Sequence, residues 1–92
     1  MTFTYPAVFK KQRDGSYTAT FPDLEGIHVT GRDLDDAIRN AREAAFDWLT
    51  VEFEEDDPKL PSISEVRDLS LKRGEVARNI EVHYRFFEGW DE

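Results

Sequence analysis

Apolar positions along this chain fall into two periods, and the switch between them sets the predicted elements. From Thr2 to Lys11, Phe3, Tyr5, Ala7 and Phe9 alternate with Thr4, Val8 and Lys10, a period of two that predicts a first strand. Pro6 has no amide to donate, so this strand is expected at an edge or with that position turned away from the ladder. Asp14-Gly15 is a hairpin-turn signal. Tyr17, Ala19 and Phe21 then share one face of a second strand, antiparallel to the first, and Pro22 stops it. Phe21 to Gly26 (FPDLEG) reads as a tight turn that exposes Asp23 and Glu25. Ile27 to Thr30 is a short third strand, and Gly31 releases the chain into a helix.

The period then changes. Leu34, Ala37, Ile38, Ala41, Ala45, Trp48 and Leu49 recur at three- and four-residue spacing, one stripe of an amphipathic helix. Asp35, Asp36, Arg39, Asn40, Glu43 and Asp47 fall mostly on the outward side. Asp33 stands at the N-cap, where a carboxylate accepts from the free amides of the first turn, and Asp35 and Asp36 suit the positive end of the dipole. Late on the stripe, Trp48 is expected to be substantially buried. The stripe continues to Phe53, where Glu52 and Glu54 to Asp57 place negative charge at the wrong end of the helix, so the helix is expected to fray there. Pro58 and Pro61 mark a loop. Ser62 and Glu65 have capping-box spacing and predict one short helical turn through Asp68. Lys72-Arg73-Gly74 reads as a turn. Val76, Ile80, Val82, Tyr84 and Phe86 alternate with Glu75, Glu81, His83 and Arg85 in a last strand whose apolar face is broken by Arg78.

The element order β-β-β-α-β predicts an α+β two-layer sandwich, with the helix stripe across a small sheet. Residues 1–87 form one domain in this reading and 88–92 a loose tail, on which Trp90 could dock. The face of the sheet away from the helix is expected to be open, and aromatic side chains there would point to a partner.

Composition narrows the function classes. The chain has 92 residues, no cysteine and a net charge of -8. A disulfide framework and a cysteine metal site are excluded, in keeping with a reducing compartment. No apolar run approaches the roughly 20 residues that span a bilayer, and no signal-peptide h-region opens the chain. A cytoplasmic, membrane-free protein is the expectation. The acidity argues against nonspecific binding to a phosphate backbone. It fits a basic partner, drawn in by complementary charge, and it equally fits a surface that is acidic for solubility.

Catalytic constellations are missing. The chain has no glycine-rich phosphate loop, no H-E-x-x-H and no serine elbow. Two-metal hydrolysis needs several carboxylates around one cavity, usually with one on a central strand. Thr2 to Arg13 contains no Asp or Glu, and Asp14 lies in a turn. Asp23 and Glu25 are two carboxylates in a flexible turn. His28 and His83 each fall on a strand without a nucleophile signature. No enzyme, metal or cofactor is expected. Lys10, Lys11 and Arg13 form a small basic group beside the hairpin turn.

The run Asp14-Gly15-Ser16-Tyr17-Thr18-Ala19-Thr20-Phe21-Pro22-Asp23-Leu24-Glu25-Gly26, then Thr30-Gly31, then Leu34-Asp35-Asp36-Ala37, closely resembles HicB-type antitoxins. In that family a strand ending in F-P-D-L-x-G is followed by a short strand, a T-x-G-type turn and a helix opening L-x-E-A. Asp36 stands where the family usually has Glu, and Arg32-Asp33 replaces a common Asp-Thr, so Asp33 takes the capping role. The resemblance extends to Leu60-Pro61 and to Gly74–Val82. It implies a partial ribonuclease-H-like fold, a small basic ribonuclease (a HicA-type mRNA interferase) as partner, and inhibition by occlusion. Many members append a helix-turn-helix or ribbon-helix-helix module. No second helical pair with a basic recognition helix follows the last strand here, so direct DNA binding by this chain is not expected.

On this reading the toxin-facing residues are Tyr17, Phe21, Pro22, Asp23, Leu24 and Glu25. A homodimer is expected through the last strand, at Ile80, Val82, Tyr84 and Phe86, because an open apolar edge is normally paired or protected. The alternatives are a homodimeric protein- or ligand-binding module without a toxin partner, and a degenerate ribonuclease-H-like nuclease.

Overall fold

The computed structural model describes residues 2–55 and 60–83. The elements run β1 (Thr2–Lys11), β2 (Tyr17–Thr20), β3 (His28–Gly31), α1 (Leu34–Phe53), a 3-10 turn at Val66–Asp68, and β4 (Glu75–His83). The fold is α+β, as the alternating pattern predicts. All strand pairs are antiparallel, in the order β3-β2-β1-β4. The β1–β2 hairpin closes through Gly15 at φ 90°, which a residue with a Cβ rarely adopts.

Strand β1 is internal, so Pro6 needs a special position. Lys11 N–H donates to the Gly74 carbonyl on the β4 side, and Gln12 N–H donates to the Ser16 carbonyl on the β2 side. Alternation then turns the position of Pro6 towards β2. The paired part of β2 ends at Thr20, opposite Val8, so the missing Pro6 amide removes no ladder bond. Of the two expected solutions for Pro6, the chain uses the second.

Asp33 caps α1, accepting from the Asp36 amide at 2.9 Å. Asp36 reaches back to accept from the Arg32 amide at 2.9 Å, and its other oxygen pairs with Arg39. The buried stripe is Ala37, Ala41, Ala45 and Leu49. It packs on Tyr5, Ala7, Phe9, Ala19, Ile80 and Val82, with Phe3, Tyr17, Val29, Leu34, Ile38, Trp48 and Phe53 at its margin. The alanines let the helix come close to the sheet. A Cβ on Gly31 would lie 2.2 Å from the Ala37 nitrogen, so this glycine is required by helix contact and not by its own backbone angles. It also pairs with Tyr17, which puts β3 one residue later than the expected Ile27–Thr30.

Two expectations change, the Ser62 cap and the open outer face. Ser62 caps nothing: the turn after it is a 3-10 turn at Val66–Asp68 that starts from Glu65 without a side-chain cap. The face away from the helix carries Thr4, Val8, Lys10, Thr18, Thr20, His28 and Thr30 and no aromatic residue among those described. It is also not fully open. The segment from Ile63 to Arg67 borders Thr4 and Asn79 on that side, and Pro6 is fully buried. The expected tail at 88–92, the aromatic positions Tyr84 and Phe86, and the carboxylates Asp56 and Asp57 lie outside the described residues.

Candidate functional site

Phe21 to Gly26 forms the turn at the end of the sheet where α1 also finishes. The turn is anchored from below. Phe21 and Leu24 are buried, and the Leu24 amide donates to the Phe21 carbonyl at 3.3 Å. Gly26, at φ 92°, turns the chain towards β3. With the two apolar residues pointing in, Pro22 and Glu25 are forced outward and are exposed. Tyr17 is half-buried at the core margin. Of the six residues expected to face a partner, the structure therefore presents Pro22 and Glu25 fully and assigns Phe21 and Leu24 to the core.

Asp23 has a different job from the free carboxylate that the turn pattern suggests. Its Oδ2 accepts from the Ser64 amide and its Oδ1 from the Ser64 hydroxyl, both at 2.7 Å. Alongside, Tyr5 donates its hydroxyl to the Pro61 carbonyl at 3.4 Å. Burial, and then the nearby Asp23 carboxylate, raise the Tyr5 phenol above its ordinary pKa and keep it protonated as a donor. Together these bonds strap the 60–66 segment across the end of the sheet.

Trp48 completes the site. It is half-buried, and its indole N–H donates to the Glu25 carbonyl at 3.1 Å, fixing the backbone that presents the Glu25 side chain. A cleft of about 720 Å³ opens between the turn and the strap, lined by Pro22, Asp23, Glu25, Trp48, Glu52, Leu60, Pro61 and Ser62. A second hollow, of about 380 Å³, lies on the other side of Trp48 and reaches Ile27, Asp47 and Val51. The two hollows share Glu25, Trp48 and Glu52, so one aromatic ring stands between carboxylates. Sequence periodicity places Trp48 in the core. Its position on the flank of the stripe, next to Asp47 rather than at its centre, is the signal for the second role.

Among the described residues no group of three His, Cys, Asp or Glu side chains could hold a metal ion. His28 is exposed on β3, and His83 is exposed on β4, 3.3 Å from Glu81. No helix among the described residues is long and apolar enough to cross a membrane. On the last strand, Ile80 and Val82 are each 1% exposed beneath α1. Their side chains belong to the core, and what β4 offers a partner is its backbone edge.

The fold is that of solved antitoxin domains. The N-terminal domain of the antitoxin HicB from Burkholderia pseudomallei matches with a TM-score of 0.77 and 29% identity, over 89% of this chain and 100% of that one. A chain of a toxin–antitoxin complex from Streptococcus pneumoniae matches with a TM-score of 0.72 and 25% identity, over 90% of this chain and 70% of that one. No curated protein sequence matches. The family model described as the HicB-like antitoxin of bacterial toxin–antitoxin systems matches residues 5–83, and the chain belongs to that family, one of antitoxins and not of enzymes.

Proposed function

We propose that this chain neutralises a small basic ribonuclease toxin of the HicA type by covering the surface on which the toxin holds RNA. The observation that carries this reading is the acidic, rigidly held end of the sheet. There Glu25 is presented beside Trp48, and Glu52 and Asp47 stand on the flanks. A ribonuclease must place cationic groups where RNA phosphates lie, and carboxylates held at the same spacing substitute for phosphate. The similarity to a chain of the Streptococcus pneumoniae toxin–antitoxin complex supports a toxin as the partner. In this role Pro22 and Glu25 make the contact, Trp48 adds the apolar platform between carboxylates, and Tyr17, Phe21, Asp23 and Leu24 hold the shape. The cytoplasm is the compartment where such a toxin meets messenger RNA.

The test is rescue of growth and direct binding, with the toxin encoded beside this chain as probe. Glu25→Ala is expected to leave the fold intact and weaken toxin binding at least about tenfold, near 1.4 kcal/mol. The salt dependence of association should flatten with it. Undiminished affinity in the folded variant would move the interface away from the turn. Failure of the parent chain to bind or rescue would favour a binding module without a toxin partner.

A further inference from the structure

The net charge of -8 is a sum over a chain whose charges are sorted by position. At the end of the sheet opposite the Phe21 to Gly26 turn, Lys11 pairs with Tyr17, Tyr17 pairs with Gly31, and the Lys11 amide donates to the Gly74 carbonyl at 3.4 Å. Adjacent strands lie about 4.8 Å apart, so this row across four strands spans about 14 Å. Two loops leave the sheet side by side along it, residues 12–16 and 72–74. Lys10, Lys11, Arg13, Lys72 and Arg73 stand on or beside these loops, and all five are exposed. None of them makes an ion pair with a described residue. The carboxylates in the same loops are used locally instead. Asp14 Oδ1 accepts from the Ser16 amide at 2.9 Å and from the Ser16 hydroxyl at 2.6 Å, and Glu75 Oε1 accepts from the Lys72 amide at 2.7 Å. Gln12 ties the hairpin further, its amide donating to the Ser16 carbonyl at 2.7 Å and its side chain to the Lys10 carbonyl at 3.2 Å. These bonds hold the loop shapes and leave the five cations to solvent.

We propose that this end of the sheet is a second binding site, one that holds the phosphodiester backbone of a nucleic-acid duplex. Residues 10–16 and 72–75 contain five cations, two carboxylates and no apolar side chain. Protein interfaces are centred on apolar or aromatic anchors, and these loops offer none. Single strands are held by bases stacked on exposed aromatic rings, and Tyr17, the aromatic residue in the row, is half-buried at the core margin. Lysine and arginine on fixed loops, without an anchor or a stacking ring, suit phosphates, which position a duplex without reading its sequence. Net charge argues against phosphate binding where charges are mixed, and here they are sorted. Ala37 lies against Gly31 at the basic end, and Trp48 reaches Glu25 at the acidic one. The helix between them rises about 16 Å, twice the Debye length of about 8 Å at physiological salt. The acidic turn therefore does not cancel the field at the hairpin. Both ends can be occupied at once, and this site does not depend on a toxin.

The probes are a short labelled DNA duplex of mixed sequence and the RNA duplex of the same sequence, read by fluorescence anisotropy with the full chain. The parent is expected to bind duplex at low salt, with an affinity that falls as salt rises. Arg13→Gln with Arg73→Gln is expected to keep the far-UV spectrum and weaken binding at least about tenfold. It should also flatten the slope of log affinity against log salt by about 1.8, because each lost phosphate contact removes about 0.9. Lys11→Gln with Lys72→Gln should act in the same way. Arg42→Gln with Arg67→Gln changes the net charge equally at positions outside this end and is expected to bind like the parent. Tighter binding of one of the two duplexes tells whether DNA or RNA supplies the backbone. A parent chain that binds neither duplex at low salt, or an equal loss in the Arg42 and Arg67 control, would overturn the site. Displacement of the duplex by poly-glutamate as readily as by unlabelled duplex would overturn it too, by giving this end to an acidic protein.

Discussion

The sheet of this antitoxin is covered in two places, and different physics holds each cover. Under α1 the contact is apolar: Ala37, Ala41, Ala45 and Leu49 lie on Tyr5, Phe9, Ile80 and Val82, with no buried polar or charged residue among those described. Its strength comes from area and close approach and is spread over many side chains. The strap at residues 60–66 is held the opposite way. Leu60 and Ile63 are 39% and 56% exposed, and the strap depends on Asp23 receiving two bonds from Ser64 and on Tyr5 reaching Pro61. A surface of the first kind gives way as part of the whole fold. One of the second kind can be released by a single side chain while the rest stands.

The sharpest way to break the comparison is to damage each cover and ask how far the damage spreads. Phe9 is 0% exposed at the centre of the helix contact. Phe9→Ala is expected to cost about 3–5 kcal/mol, lowering the melting temperature of the whole domain in one cooperative transition. Asp23→Ala removes the charged acceptor of two hydrogen bonds, a loss of about 1.5–3 kcal/mol when such bonds are shielded, and less here because the site is only part-buried. Its effect should be local: faster proteolysis and faster amide exchange at residues 60–71, with the helix signal retained. If Asp23→Ala instead lowers the main transition as much as Phe9→Ala does, the strap is part of the core and the contrast fails.

The two covers also differ in how visible they are in the sequence. Strand β1 has the expected limits, Thr2–Lys11, and α1 begins at Leu34 behind Asp33, because alternation, helical spacing and a capping residue are local signals. The strap is not local. Asp23 and Ser64 are 41 positions apart, and nothing in either neighbourhood marks them as partners. The same separation hides the role of Asp23, which in the turn motif looks like an outward carboxylate. Trp48 was half legible: its place on the helix stripe predicts burial, but the 23-position link to the Glu25 carbonyl depends on the angle at which α1 crosses β3. Ile80 and Val82 illustrate the converse. Their alternation marks a strand correctly, yet an apolar face of an edge strand serves the core before it serves a partner.

The smallest expected effect concerns the other carboxylate that organises backbone, Asp36 at the start of α1. Its carboxyl is held below its ordinary pKa, first by the Arg32 amide and then by Arg39, with the charges of both arginines adding to the effect. A folded pKa below the unfolded value of about 3.9 means that the unfolded chain takes up the proton first as pH falls. The contribution is therefore fully present above about pH 4 and is lost as the pH drops through the folded pKa. Asp36→Asn keeps an oxygen for the Arg32 amide but removes the charge. Parent and variant melting temperatures should differ by a constant amount from neutral pH down to about 5 and converge below about 4. Asp14, lowered by its bonds to Ser16, titrates identically in both proteins and drops out of the difference. A gap that persists unchanged into strong acid would show that Asp36 acts through shape alone. Asp23 and Asp36 would then be two forms of the same device, each holding a segment by hydrogen-bond geometry, one across the fold and one at a helix start.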